Sequence, residues 1–257
     1  MMDRIGKKKV WEKLLCLDLL CLIFLIGGFC YQRAEGMQTK VTGTVRTERI
    51  QKTVSRDSGE DENTGENTEI EKEKKKVALT FDDGPHPVYT PEMLDVLKEK
   101  NVKATFFLLG EQVEQYPDIV KRMSEEGHLI GNHSYKHEQL SKLSSVQACT
   151  QVNRTNELIY SITGKYPEYL RPPFGDWKDR LDCEVNMIEV LWDVDTLDWS
   201  SQNKDKVVNK VMKNVEEGDI ILMHDSYEST VEATAEIIDR LQKDGYEFVT
   251  VDELILD

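Results

Sequence analysis

Two histidines stand four residues apart in HSYKH, at His133 and His137. On a helix or in a tight turn, that spacing lets both imidazoles face one ion. FDDGP sets two carboxylates, Asp82 and Asp83, ahead of a turn. Two histidines and one carboxylate leave coordination positions open for water and substrate, the composition of a catalytic metal site. Zn²⁺ fits that ligand set, and so does Fe²⁺ in a facial triad. The second carboxylate is then free to accept a proton from a bound water. Taken singly, neither motif compels this chemistry. The histidines could be surface or capping residues, and DDGP could be a plain turn.

The elements that would carry these residues make the case stronger. Short apolar runs alternate with helical patterns from residue 77 onward: VALTF, ATFFLL, HLIGN, YLRPPF, IEVLWDVD, DIILMH and EFVTV, the last closing the chain. About seven strand–helix units predict a parallel α/β sheet with helical crossovers. A closed or partly closed barrel accommodates so many units best, and a doubly wound open sheet is the rival. In both, function belongs at the carboxyl ends of the strands. Asp82 and Asp83 follow VALTF, and His133 and His137 follow HLIGN. Arg171 sits within YLRPPF, Asp195 and Asp198 follow IEVLW, and His224 and Asp225 follow DIILM. Five of the seven runs thus carry residues able to do chemistry at or near their ends, and all would converge on one rim.

In this order, TFDDGP (80–85), HSYKH (133–137), RPPFG (171–175), DTLDW (195–199) and LMHD (222–225) resemble the polysaccharide deacetylases of carbohydrate esterase family 4, the NodB-homology domain. The resemblance spans nearly all of 77–257. Phe174 stands where Tyr is common, and Trp177 lies in a slightly unusual loop. What the resemblance implies is a deformed (β/α) barrel of about seven parallel strands that removes acetyl from an N-acetylated sugar. It favours Zn²⁺, with other divalent ions such as Co²⁺ admissible. Carried over motif by motif, Asp83, His133 and His137 bind the metal and Asp82 is the general base. Arg171 pairs with Asp82, His224 is the general acid, and Asp198 raises the pKa of His224. Trp199 and Leu222 line a pocket for the acetyl methyl, and the backbone N–H of Phe174 helps hold the oxyanion. His86, His128 and Asp225 are left with structural places: a turn, a strand start and a cap for the next helix.

The remaining 76 residues differ in kind. Of 257 residues, 48 are acidic and 33 basic, a formal charge of −15. An acidic chain argues against general nucleic-acid binding. Arg4, Lys7, Lys8, Lys9 and Lys13 precede an apolar run over 14–31, the layout of a signal anchor or signal peptide. We expect residues 1–36 to hold an uncleaved anchor with the rest of the chain outside the cell. Residues 37–76 lack Leu and aromatic side chains and balance nine charges of each sign, the composition of a disordered polar linker. Residues 77–257 form the enzymatic domain. Of its two cysteines, Cys149 and Cys183, we expect free thiols.

An anchor and tether point to the cell's own wall. Peptidoglycan N-acetylglucosamine is therefore the first expected substrate, ahead of N-acetylmuramic acid and chitin oligomers. A carbohydrate-binding domain without catalysis would not need every catalytic position. An iron-dependent oxygenase would not need the Asp82–Arg171 and Asp198–His224 pairs.

Overall fold

The computed structural model describes residues 74–176 and 187–256. The expected anchor, most of the linker, Trp177 and Cys183 lie outside the described residues. Among those described, no helix is long and apolar enough to cross a membrane.

Among the described residues, eight parallel strands form the sheet. They are β1 (Lys75–Asp82), β2 (Thr105–Leu108), β3 (Leu129–Asn132), β4 (Tyr169–Leu170), β5 (Ile188–Glu189), β6 (Val194–Asp195), β7 (Ile220–His224) and β8 (Tyr246–Val249). Seven follow the order β5-β4-β3-β2-β1-β7-β6, and β8 pairs β1 outside that path. β1 begins at Lys75, so Lys75 and Lys76 are not linker: they pair with Tyr246 and Glu247 of β8. From Val77 to Asp82 every residue of β1 is buried, as a central parallel strand covered on both faces requires.

IEVLWDVD, expected as one strand, is two. β5 pairs β4 at one end of the path, and β6 pairs β7 at the other. In a flat sheet, six spacings of about 4.8 Å would put these edges about 29 Å apart. Five chain steps from Glu189 to Val194 reach at most about 18 Å. The sheet must therefore curl, and it does so into a half-barrel. No ladder joins β5 to β6 among the described residues, so the barrel is not closed there.

The helices are α1 (Tyr89–Glu99), α2 (Gly110–Gln115), α3 (Pro117–Glu125), α4 (Ser145–Thr163), α5 (Asp198–Ser201), α6 (Lys204–Asn214), α7 (Glu228–Lys243) and α8 (Val251–Leu256). α4 starts at a capping box, where Ser144 accepts from the Gln147 N–H, and stops at Gly164, whose φ is 72°. α7 buries Val231, Thr234, Ile237, Ile238 and Leu241, the one-sided stripe of an amphipathic helix. Of these, Val231, Ile237, Ile238 and Leu241 share the main core with Leu79, Phe81, Phe106 and Met223. α8 was not anticipated. Val251, expected to end a strand, is its first residue, and its N–H donates to Thr105 Oγ1 at 3.1 Å.

Cys149 is disulfide-bonded, which corrects the expectation of free thiols. Every other cysteine lies outside the described residues.

Candidate active site

β1 delivers Asp82 to the rim as its last residue, in register with Phe107 of β2 and His224 of β7. Asp82 is buried, and Arg171 Nη1 donates to its Oδ1 at 2.8 Å. Arg171 has no exposed surface. Its Nη1 also donates to Thr80 Oγ1 at 2.7 Å, its Nε to the Val190 carbonyl at 3.2 Å, and its Nη2 to the Leu191 carbonyl at 2.9 Å. The guanidinium also lies over the Phe107 ring, 4.3 Å from its centroid. Burial pushes the Asp82 carboxyl above its ordinary value, and the charge and hydrogen bond of Arg171 oppose that push. The outcome is a carboxylate that is a stronger base than a solvated aspartate.

Asp83 follows with φ of 71°, outside the strand. The left-handed turn sends its carboxylate away from Asp82 and towards the histidines. Asp83 Oδ1 lies 3.4 Å from His133 Nε2 and 3.5 Å from His137 Nε2. His133 Nδ1 donates to the Arg171 carbonyl at 2.6 Å, which leaves the Nε2 lone pair for an ion. Burial lowers the His133 pKa to about 3, so the imidazole is neutral, as a ligand must be. The two histidines are joined by a bend, not a helix. Asn132 Oδ1 accepts the Ser134 N–H at 2.7 Å, and Ser134 Oγ accepts the His137 N–H at 3.1 Å.

The donor atoms of Asp83, His133 and His137 all lie within 4.8 Å of one another. Asp83 Oδ1 is buried with no hydrogen-bond partner. A buried carboxylate oxygen without a partner is costly, and here it faces two imidazole nitrogens. The residues fit a divalent metal ion.

Across the site, β7 ends in His224. Its Nδ1 donates to Asp198 Oδ1 at 2.8 Å, and its Nε2 lies 3.9 Å from Asp83 Oδ2. Asp198, at the start of α5, is fully buried, and its Oδ2 also accepts from Thr230 Oγ1 at 2.9 Å. Burial alone would lower the His224 pKa. The hydrogen bond and charge of Asp198, helped by Asp82 and Asp83, overcome that and bring it to about 9.

The structure thus gathers Asp82, Asp83, His133, His137, Arg171, Asp198 and His224 at one rim. Phe174 reaches it through a ring contact with His137 at 4.6 Å, and its own φ is 63°. The Trp199 N–H donates to Asp198 Oδ1 at 2.8 Å, and the side chain is half exposed. Leu222 is buried two residues before His224, on the same face of β7. Asp195 accepts the Leu197 N–H at 2.9 Å in a turn.

Three supporting residues were missed. Thr80 lies two residues before Asp82 and so on its face of the strand, a signal that was available. Asn132 sits beside the first histidine. Thr230 carries no signal in the sequence. Asp225 needs correction: α7 follows Tyr227 and has no side-chain cap, so Asp225 does not cap it. His86 does serve a turn, its Nδ1 accepting the Val88 and Tyr89 N–H groups at 3.2 Å.

Comparison with known proteins agrees with this geometry. A family model described as polysaccharide deacetylase matches residues 69–189. The peptidoglycan-N-acetylmuramic acid deacetylase PdaC of Bacillus subtilis is 43% identical over 185 residues, covering 72% of this chain and 40% of that protein. The peptidoglycan-N-acetylglucosamine deacetylase PgdA of Listeria monocytogenes is 44% identical over 183 residues, covering 71% and 39%. The chain therefore spans about two fifths of the length of these curated relatives. A solved structure of the Bacillus subtilis PdaC matches with a TM-score of 0.69 at 44% identity, covering 71% of this chain and 91% of that one. With that identity across nearly the whole of a solved relative, the chain belongs to the polysaccharide deacetylase family, carbohydrate esterase family 4.

Proposed function

We propose that this chain hydrolyses the acetamide of N-acetylated sugars in a glycan, releasing acetate, and that its first substrate is peptidoglycan N-acetylglucosamine. The carrying observation is the pair of buried acid–base couples, Asp82–Arg171 and Asp198–His224, on either side of the Asp83–His133–His137 cluster. Amide hydrolysis needs an activated water, a stabilised oxyanion and a protonated leaving amine. A Zn²⁺ ion held by Asp83, His133 and His137 would polarise the acetyl carbonyl and acidify its water towards a pKa of about 7. Asp82 accepts the water's proton, and Arg171 holds its carboxylate in place. The cationic His224 gives its proton to the departing sugar amine. Trp199 and Leu222 form the acetyl-methyl wall, and the Phe174 N–H faces the oxyanion.

Acetate release from peptidoglycan and from N-acetylglucosamine oligomers, with and without a chelator, tests the reaction. Release that survives complete metal removal would overturn the metal's part. Mass spectrometry of treated wall fragments reads which sugar has lost its acetyl group. N-acetylmuramic acid alone, or soluble oligomers alone, would move the substrate to those alternatives. We also propose that residues 14–31 anchor the chain, with the domain outside the membrane, because basic residues precede that apolar run. A shortened form free in the medium would show cleavage instead.

A further inference from the structure

Asp225 takes no part in the reaction just described, yet it is completely buried beside it. Its Oδ2 accepts the Thr90 hydroxyl at 2.5 Å. Thr90, itself buried, accepts the His86 N–H at 2.7 Å. The same carboxylate lies against Gly84. An ideal Cβ at that position would stand 2.5 and 2.6 Å from the two Asp225 oxygens, so only a glycine lets the backbone come this close. Asp225 therefore touches both ends of the segment 84–90, the stretch of chain that leaves Asp83.

The other side of Asp83 is fixed by β1, where Asp82 is in register with Phe107 and His224. A third hold is the Leu109 N–H, which donates to the Gly84 carbonyl at 3.1 Å. Between these holds Asp83 adopts its φ of 71°, a conformation that an aspartate keeps when its surroundings impose it. The direction of the Asp83 carboxylate follows from that conformation.

We propose that Asp225 is a positioning residue for Asp83: through Gly84 and Thr90 it sets the turn that aims the Asp83 carboxylate at His133 and His137. The proposal rests on the metal-dependent reading of the site. It differs from a bland packing role in what it predicts. Packing would affect stability alone, whereas positioning affects metal affinity.

The test is Zn²⁺ affinity of the full chain, measured by competition with a chromophoric chelator, alongside thermal unfolding of the metal-free protein. Asp225→Ala should weaken Zn²⁺ binding about 10–100-fold, the usual loss when a ligand's supporting contact is removed. Asp225→Asn keeps the shape and an acceptor for Thr90, so it should bind close to wild type. Thr90→Val leaves the Asp225 carboxyl in place and removes the hydroxyl, so it should weaken binding several-fold. A folded Asp225→Ala with wild-type affinity would overturn the proposal. So would an Asp225→Asn loss as large as that of Asp225→Ala, since charge and not position would then be the cause. If Asp225→Ala does not fold, unchanged affinity in Thr90→Val overturns it. Because affinity is read without acetate release, a wild type that binds Zn²⁺ but deacetylates nothing would sink the catalytic reading and leave this one standing.

Discussion

Asp198 holds His224 with both of its oxygens: Oδ1 accepts the ring Nδ1–H at 2.8 Å, and Oδ2 accepts the backbone N–H of the same residue at 2.7 Å. The ring and its backbone are thus locked to one buried carboxylate. This geometry fixes the tautomer and leaves Nε2 as the nitrogen that faces the reacting groups.

The first prediction is a pH profile. With its pKa raised to about 9, His224 is cationic through neutral pH and loses its proton as the pH rises through that value. Turnover should fall on the alkaline side there. Asp198→Asn removes the charge that favours the cation, so the alkaline limb should move to lower pH. An unmoved limb would separate His224 from the acid role.

The adjacent acids should divide their labour. Asp82→Asn leaves the three ligands in place and should retain the metal, while losing about 10²–10⁴-fold in turnover. Asp83→Asn should weaken metal binding, with activity partly regained in excess Zn²⁺. Metal analysis and rates on both variants decide this, and the opposite pattern would exchange the two roles.

His133→Ala and His137→Ala should each lose the ion together with activity. The buried His133 should also lower stability more than the partly exposed His137. Full Zn²⁺ occupancy in either purified variant would remove it from the ligand set.

Arg171→Met should leave Asp82 buried without its cation, at a cost of about 3–5 kcal/mol. Denaturant unfolding measures it. The deficit should shrink as the pH falls and the Asp82 carboxyl takes up a proton, because burial already pushes that group upward.

Gly84→Ala should destabilise by about 1–3 kcal/mol, the range of an overpacked core, since the added methyl meets the Asp225 carboxylate. Pairing it with Asp225→Ala should return part of the lost melting temperature. A Gly84→Ala protein that melts like wild type would show that the contact is not tight.

Most of the rim was legible because parallel strands put their last residues on one side, and five of the seven apolar runs carried a titratable side chain at or near their ends. The residues that escaped notice are those whose partners are far away in sequence. Asp225 reads as a helix cap from its neighbours, but its partner Thr90 is 135 residues distant. IEVLWDVD has the composition of one strand. It breaks in two because Arg171 occupies the Val190 and Leu191 carbonyls, which a continuous ladder would need. Val251 reads as strand by type, and becomes helix because its N–H finds Thr105 at the end of the sheet.

Arg171 joins the β1 side chains Thr80 and Asp82 to the carbonyls of Val190 and Leu191, in the span that links the two edges of the sheet. It also receives the His133 ring on its own carbonyl. One side chain therefore serves both the reaction and the half-barrel's unclosed seam. Asp83 and His137, each about a third exposed, are under no such double obligation. In a lineage released from selection for catalysis, substitutions should accumulate first at Asp83 and His137, while the arginine stays. An inactive descendant of this chain would thus be recognised by its missing ligands around an intact guanidinium.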